Sequence, residues 1–235
     1  MSSIGDAVTY PMESDDWLKT VLIGGAMLLF SFLLIPAFVA YGYMIRAMQA
    51  SLKGEPEPPS FSDWGGLIVD GLKVFVIGVV YFLVPLAVMV LTVDGAALAV
   101  FTGSEAGAAA GAGTLLLGML ATFVLALVFG YFAAVGLVNF AREERFGAAF
   151  DVGVVKSVGL DGDFAVPWLV SVGVFLAVSI VTSVLNIIPG LGFVVGVFLN
   201  FYALVVAANL WAGGFREATE GGSTAGQTGV EETPA

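Results

Sequence analysis

Of 235 residues, 59% are hydrophobic and only 11% charged, with a mean hydropathy of +1.00; a water-exposed surface carries about a quarter charged residues, so a conventional soluble globule is excluded. The 8 Lys and Arg stand against 19 Asp and Glu, which argues against a nucleic-acid-binding face. Neither Cys nor His occurs, and this removes disulfides, cysteine nucleophiles, Ser-His-Asp triads, haem ligation and most zinc chemistry.

Residues 1–18 read as a short acidic N-terminal tail. It has no basic start and no small-residue cleavage pattern, so no cleaved signal peptide is expected. Uncharged apolar runs of 18 or more residues then mark five predicted transmembrane helices, because ~20 residues of helix cross the hydrocarbon core. They lie at about 20–45, 74–93, 114–140, 164–188 and 190–212, with every Asp, Glu, Lys and Arg at or beyond their edges. Continuous runs without alternation select helices over barrel strands. Pro36 and Pro85 fall inside spans and predict kinks.

The connector after the first span opens with prolines in GEPEPPSFSDWGGLIVDGLK. Ser60 or Ser62 can then cap a new helix, with Asp63 in its first turn and Phe61, Trp64, Ile68 and Leu72 on one face. The second connector repeats the idea with Phe146, Phe150, Val154 and Val158. Two amphipathic helices at the cytoplasmic interface are therefore expected. Asp63–Leu67 and Asp151–Val155 share a D-Φ-G-x-Φ pattern that raises an internal duplication. The Ala/Gly-rich stretch up to Thr114 reads as a flexible outer loop, and residues 213–235 as a disordered acidic tail.

Short-loop cations set sidedness. Arg46, Lys53, Lys73, Arg142, Arg145, Lys156 and Arg216 fall on one predicted side and Lys19 alone on the other, which predicts an outside N-terminus and a cytoplasmic C-terminus in the cell membrane. Trp17, Trp64, Trp168 and Trp211 all sit at predicted span ends, where indole rings anchor at the headgroup layer.

Gly190-Leu-Gly192-Phe-Val-Val-Gly196 lacks the preceding strand and the spacing of a phosphate loop; it reads as a turn followed by a small-residue packing face. Gly118, Thr122, Ala126, Gly130 and Ala134 form a similar stripe. Asn139, Asn200 and Asn209 are the intramembrane polar residues, with inter-helix hydrogen bonding the simpler role and a polar path the sharper one. With no intramembrane charge, ion-coupled transport is disfavoured. Asp63, Asp70, Asp151, Asp161 and Asp163 can in principle collect a divalent ion, but without His or Cys no metal site, cofactor or enzymatic activity is expected. Arg46, Lys53, Lys73, Arg142, Arg145 and Lys156 are candidate contacts for anionic lipid headgroups, or plain topology determinants.

Four motifs, YPMESDDWLKTVLIGG, LLIPAFVAYGYMIRAM, EPPSFSDWGGLIVDGLKVFVIG and NFAREERFGAAFD, together resemble an uncharacterised family of multi-pass membrane proteins frequent in halophilic archaea, domain of unknown function 4013, over roughly residues 8–215. The resemblance brings no activity or functional residue. It implies a high-salt cytoplasm, which suits the acidic balance. The expected fold is an all-α polytopic membrane helix bundle of about five transmembrane helices with two amphipathic cytoplasmic connector helices. The expected function is non-enzymatic organisation of lipid or a partner at the inner leaflet, the alternative being a passive channel or facilitator for a small solute. Expected partners are membrane lipids and a membrane protein or second copy, with no nucleic acid.

Overall fold

The computed structural model describes residues 4–188 and 190–227, and every regular element among them is helical. In chain order these are α1 (Ile4–Thr9), α2 (Trp17–Leu29), α3 (Ile35–Leu52), α4 (Trp64–Val100), α5 (Glu105–Glu143), α6 (Val152–Gly159), α7 (Gly162–Leu185) and α8 (Leu191–Gln227). Short 3-10 turns lie at Tyr10–Met12, Ser31–Leu33 and Phe146–Phe150. Four helices, α4, α5, α7 and α8, are long and apolar enough to cross a membrane. The protein is a helical membrane bundle.

The chain divides into two compact units, Met1–Phe75 with Ala134–Ala235, and Val76–Ala133. In the first, α8 is the central helix. Its Phe201, Ala203, Val205, Val206, Ala207, Ala208, Ala212 and Phe215 are all buried. Against it α7 runs antiparallel: Gly196 and Gly192 abut Thr182 and Asn186, and Gly214 abuts Phe164 and Pro167. The small residues at 192 and 196 thus pack inside the protein, as small residues do where lipid supplies no hydrophobic force between helices.

The predicted first span, 20–45, is not one helix. Gly24 and Gly25 lie beneath the rings of Phe201 and Phe198, so α2 runs antiparallel to α8. Tyr43 packs on Phe201, while the Ser51 carbonyl accepts from Arg216, so α3 returns parallel to α8. The two form a helical hairpin. Its turn is made at Leu34, held at φ 63, a backbone region costly for a side chain with Cβ. The tip still satisfies its own backbone: Leu33 N–H donates to Phe30, Leu34 to Ser31 and Phe38 to Leu34, and Pro36 has no N–H to satisfy. Pro36 therefore sits at a helix start rather than at a kink.

The first connector departs from expectation too. Asp63, not Ser60 or Ser62, caps the helix by accepting from Gly66 N–H, and that helix is the start of α4 itself. Within the first unit its buried positions are Leu67, Gly71 and Val74, whereas Trp64 and Leu72 are exposed. The reason is the close approach of α3: Gly42 faces the Leu67 carbonyl and Gly71 the Phe38 carbonyl. The second connector holds a 3-10 turn and the 8-residue α6, with Asp151 accepting from Gly153 and Val154 N–H. Both segments carry an Asp cap, but the helices they open differ, 37 residues long in α4 and 8 in α6, and the proposed duplication gains nothing from them. Residues 213–227, expected as disordered, continue α8: Phe215 and Ala218 are buried and Arg216 is bonded to α3. The remainder of that tail, 228–235, lies outside the described residues.

The second unit is an antiparallel hairpin of the α4 and α5 segments between Val76 and Ala133. The stretch expected to be a flexible loop is helix except for the turn at Phe101–Ser104, where Gly103 has φ 69 and Ser104 Oγ accepts from Gly107 N–H. Alanine is the strongest helix former and outweighs the interspersed glycines. The stripe on α5 faces α4, with Gly118 against Thr92 and Gly130 against Phe82.

Candidate functional site

The polar groups of the first unit gather at one end. The starts of α2, α4 and α7, the ends of α3 and α5, and the second half of α8 meet there. The contacts there include Arg46 with Asp63 and Asp70, Arg142 over the Phe215 ring, Gly214 against Phe164 at the start of α7, and Tyr10 hydroxyl donating to the Glu57 carbonyl at 3.4 Å. All eight Lys and Arg belong to this end, Lys19 included, because α2 enters and α3 leaves on the same side.

The candidate headgroup cations are not equivalent. Arg46 Nε donates to Asp70 at 3.0 Å and its terminal nitrogen to Asp63 at 3.2 Å, while Lys73 reaches the other Asp70 oxygen at 3.2 Å. The Gly66 amide first, and then Arg46, hold the Asp63 carboxyl below its usual range. Arg142 and Arg145 both engage Glu143. Lys53 and Lys156 form no ion pair among the described residues. Asp63 and Asp70 are thus committed to cations, and Asp151 and Asp161 to capping α6 and α7.

Three of the four tryptophans open or flank a helix at this end: Trp17 begins α2, Trp64 begins α4 and Trp168 lies in the second turn of α7. Trp211 donates from Nε1 to Ser171 Oγ at 2.9 Å, and Ser171 donates to the Trp168 carbonyl at 2.6 Å. Buried serine and indole N–H satisfy each other, tying α7 to α8.

The intramembrane asparagines are not brought together. Asn139 is fully buried and donates to the Ala148 carbonyl at 2.8 Å, closing the turn after α5. Asn200 is exposed and bonds its own helix at Gly196. Asn209 donates to Ser51 Oγ at 3.0 Å, where it joins a feature that sequence reasoning missed. This is a cavity of about 270 Å³ lined by Asp6, Tyr10, Glu13, Ser51, Glu55, Asn209 and Arg216, with Gly54, Pro56 and Gly213 completing the wall. Its residues come from three stretches far apart in the chain, 6–13, 51–56 and 209–216, and share no local spacing, so no motif could have signalled it.

Neither a curated protein nor a solved structure matches the chain. The family model described as "Protein of unknown function (DUF4013)" matches residues 29–187, a stretch that holds α3, the Arg46–Asp63–Asp70–Lys73 cluster, both long helices of the second unit and α7. On that match the chain belongs to the DUF4013 family.

Proposed function

We propose that this is a non-enzymatic protein of the cell membrane that organises lipid at the inner leaflet, with α1 and the second half of α8 both on the cytoplasmic side. The observation that carries this reading is the α2–α3 hairpin. Phe30, Phe32, Leu33, Leu34 and Ile35 at its tip are all exposed, an apolar surface suited to acyl chains. From the last charges, Lys19 and Arg46, its legs run about 15 Å at 1.5 Å per residue, roughly half of a hydrocarbon core of about 30 Å. Such a hairpin displaces lipid from one leaflet only.

Sidedness follows from the same hairpin. With Lys19 on the side of the other seven cations, the positive-inside bias becomes complete, and that side is the cytoplasmic one. Four crossing helices and a returning hairpin leave both ends of the bundle facing it. Lys53 and Lys156, free of ion pairs among the described residues, supply the headgroup contacts, while Arg46, Lys73, Arg142 and Arg145 hold their own carboxylates. The carboxylate excess at this face suits the salt-rich cytoplasm that the family resemblance implies. A solute path through Asn139, Asn200 and Asn209 finds no support in three side chains engaged at separate places.

Because the chain has no Cys, impermeant maleimide tests the reading directly. Ser14→Cys and Ser157→Cys should label from the same side in sealed vesicles, and Ser31→Cys from neither. Native mass spectra should then show retained anionic lipid that Lys53→Gln with Lys156→Gln reduces. Labelling of Ser14→Cys and Ser157→Cys from opposite faces, or lipid retention indifferent to both lysines, overturns it.

A further inference from the structure

The cavity at the end of α8 combines charges that a lipid-organising role does not use. On its floor Tyr10 and Ser51 are buried. Arg216 donates to the Ser51 carbonyl at 3.1 Å, yet its Nε, also buried, has no hydrogen-bond acceptor among the described residues. Buried guanidinium N–H groups are ordinarily paired, because an unmet donor costs its full desolvation. Asn209, bonded to Ser51, and the Tyr10 hydroxyl stand beside it. Burial first, and then the charge of Glu55, raise the Tyr10 phenol above its usual value against a lowering by its bond to Ser51; it stays protonated and a donor at neutral pH. The rim is acidic and exposed: Asp6, Glu13 and Glu55. Glu13 and Glu55 form no ion pair among the described residues.

We propose that this cavity binds a small zwitterion, its phosphate or carboxylate seated on Arg216 and Asn209 and its ammonium held by Glu13 and Glu55. A plain anion would meet three carboxylates on the way to one guanidinium, and a plain cation would meet the guanidinium on the floor. A molecule carrying both charges meets each with its opposite. A space of about 270 Å³ falls just below the range of drug-sized sites, so it selects a small ligand over a cofactor. Charge-assisted bonds of the Arg-to-phosphate or Arg-to-carboxylate kind are the strong, orienting ones. The site holds whichever way the bundle is oriented in the membrane, so it stands independently of the function proposed above.

The test uses the full chain in detergent and O-phosphoethanolamine as probe, with inorganic phosphate and ethanolamine as its separate halves, read by titration calorimetry and thermal shift. Phosphoethanolamine should bind about tenfold or more tightly than either half, with a matching concentration-dependent stabilisation. Arg216→Gln should abolish the phosphate contribution. Because Arg216 also holds Ser51, the rim variant Glu55→Gln keeps the proposal falsifiable: it should fold as the parent does and lose about tenfold of the preference for phosphoethanolamine over phosphate. Vesicles of phosphatidylethanolamine distinguish the source. If they displace the soluble probe the ligand is a lipid headgroup, and if they do not it is a free metabolite; either result supports the site. Equal binding of phosphoethanolamine and phosphate, or a preference unchanged in Glu55→Gln, overturns it.

Discussion

The contact between α3 and α4 is made by backbone on backbone, and it can be broken with one methyl group. A Cβ placed on Gly42 would lie well inside 3.0 Å of the Leu67 carbonyl oxygen, and one on Gly71 equally close to that of Phe38. Neither obstacle is a side chain that can swing away. Restoring an ordinary contact beyond 3.4 Å from 1.9 Å requires the helix axes to part by about 1.5 Å or more, which strains the interdigitated core they share. Overpacking costs about 1–3 kcal/mol, and backbone against backbone belongs at the upper end. Alanine regains about 1 kcal/mol of helix propensity over glycine, leaving a net loss of about 2 kcal/mol for Gly42→Ala or Gly71→Ala. At about 2–4 °C per kcal/mol for a chain of this size, the midpoint of thermal unfolding in detergent should fall by about 4–8 °C. Gly173→Ala on α7, with nothing within 4 Å of its Cβ, keeps only the propensity gain and should rise by a few degrees. The double variant should cost less than the sum, since helices already parted admit the second methyl. A midpoint for Gly42→Ala that rises with that of Gly173→Ala would refute the close approach and the hairpin geometry built on it.

The same assay separates the asparagines. Asn139→Ala removes one of two bonds to the buried Ala148 carbonyl, which keeps the Asp151 N–H, and should cost about 0.5–1.5 kcal/mol, whereas Asn200→Ala, exposed and bonded to its own helix, should stay within about 0.5 kcal/mol of the parent. Gly24→Ala drives a methyl into the ring of Phe201, which is fully buried, and should raise hydrogen exchange across α2 and the hairpin tip while leaving α7 unchanged. The Asp63 carboxyl is held low in the folded state. Its contribution is present above the unfolded value near pH ~4 and is lost as pH falls through the lower folded value. Unfolding midpoints should therefore decline on acidification below about pH 4, and Asp63→Asn, which keeps a cap but not a titrating group, should flatten that decline.

Spans at 74–93 and 114–140 lie within α4 and α5, and those at 164–188 and 190–212 nearly coincide with α7 and the first part of α8, because uninterrupted apolar length is the strongest signal a membrane protein offers. The hairpin was not legible. Both its legs are apolar, so hydropathy reads straight through the turn at Leu34, and what folds α2 back is contact with Phe198 and Phe201 some 170 residues away. Gly24, Gly25 and Pro36 were the available clues, yet each occurs equally in a straight span. That one turn also brings Lys19 and Trp17 to the end of the first unit that holds Arg46 and Trp64, where a straight span would have put them at the opposite end. Ala and Gly together hid the helical ends of α4 and α5, since composition that suggests a loop in water is compatible with helix when alanine dominates. The Arg216 cavity needed three distant stretches of the chain to meet, and no local pattern encodes that meeting.

The docking of Gly24 and Gly25 on α8 has a consequence for biosynthesis. The hairpin leaves the ribosome well before the helix it packs on, because Phe198 and Phe201 follow Gly24 and Gly25 by some 170 residues. Until α8 is made, two glycines and an apolar turn remain without their protein partner, so the early chain must be held by lipid or by a chaperone of the insertion machinery. A chain stopped short of Phe201 would expose an undocked hairpin, giving cellular quality control a ready mark of incomplete synthesis.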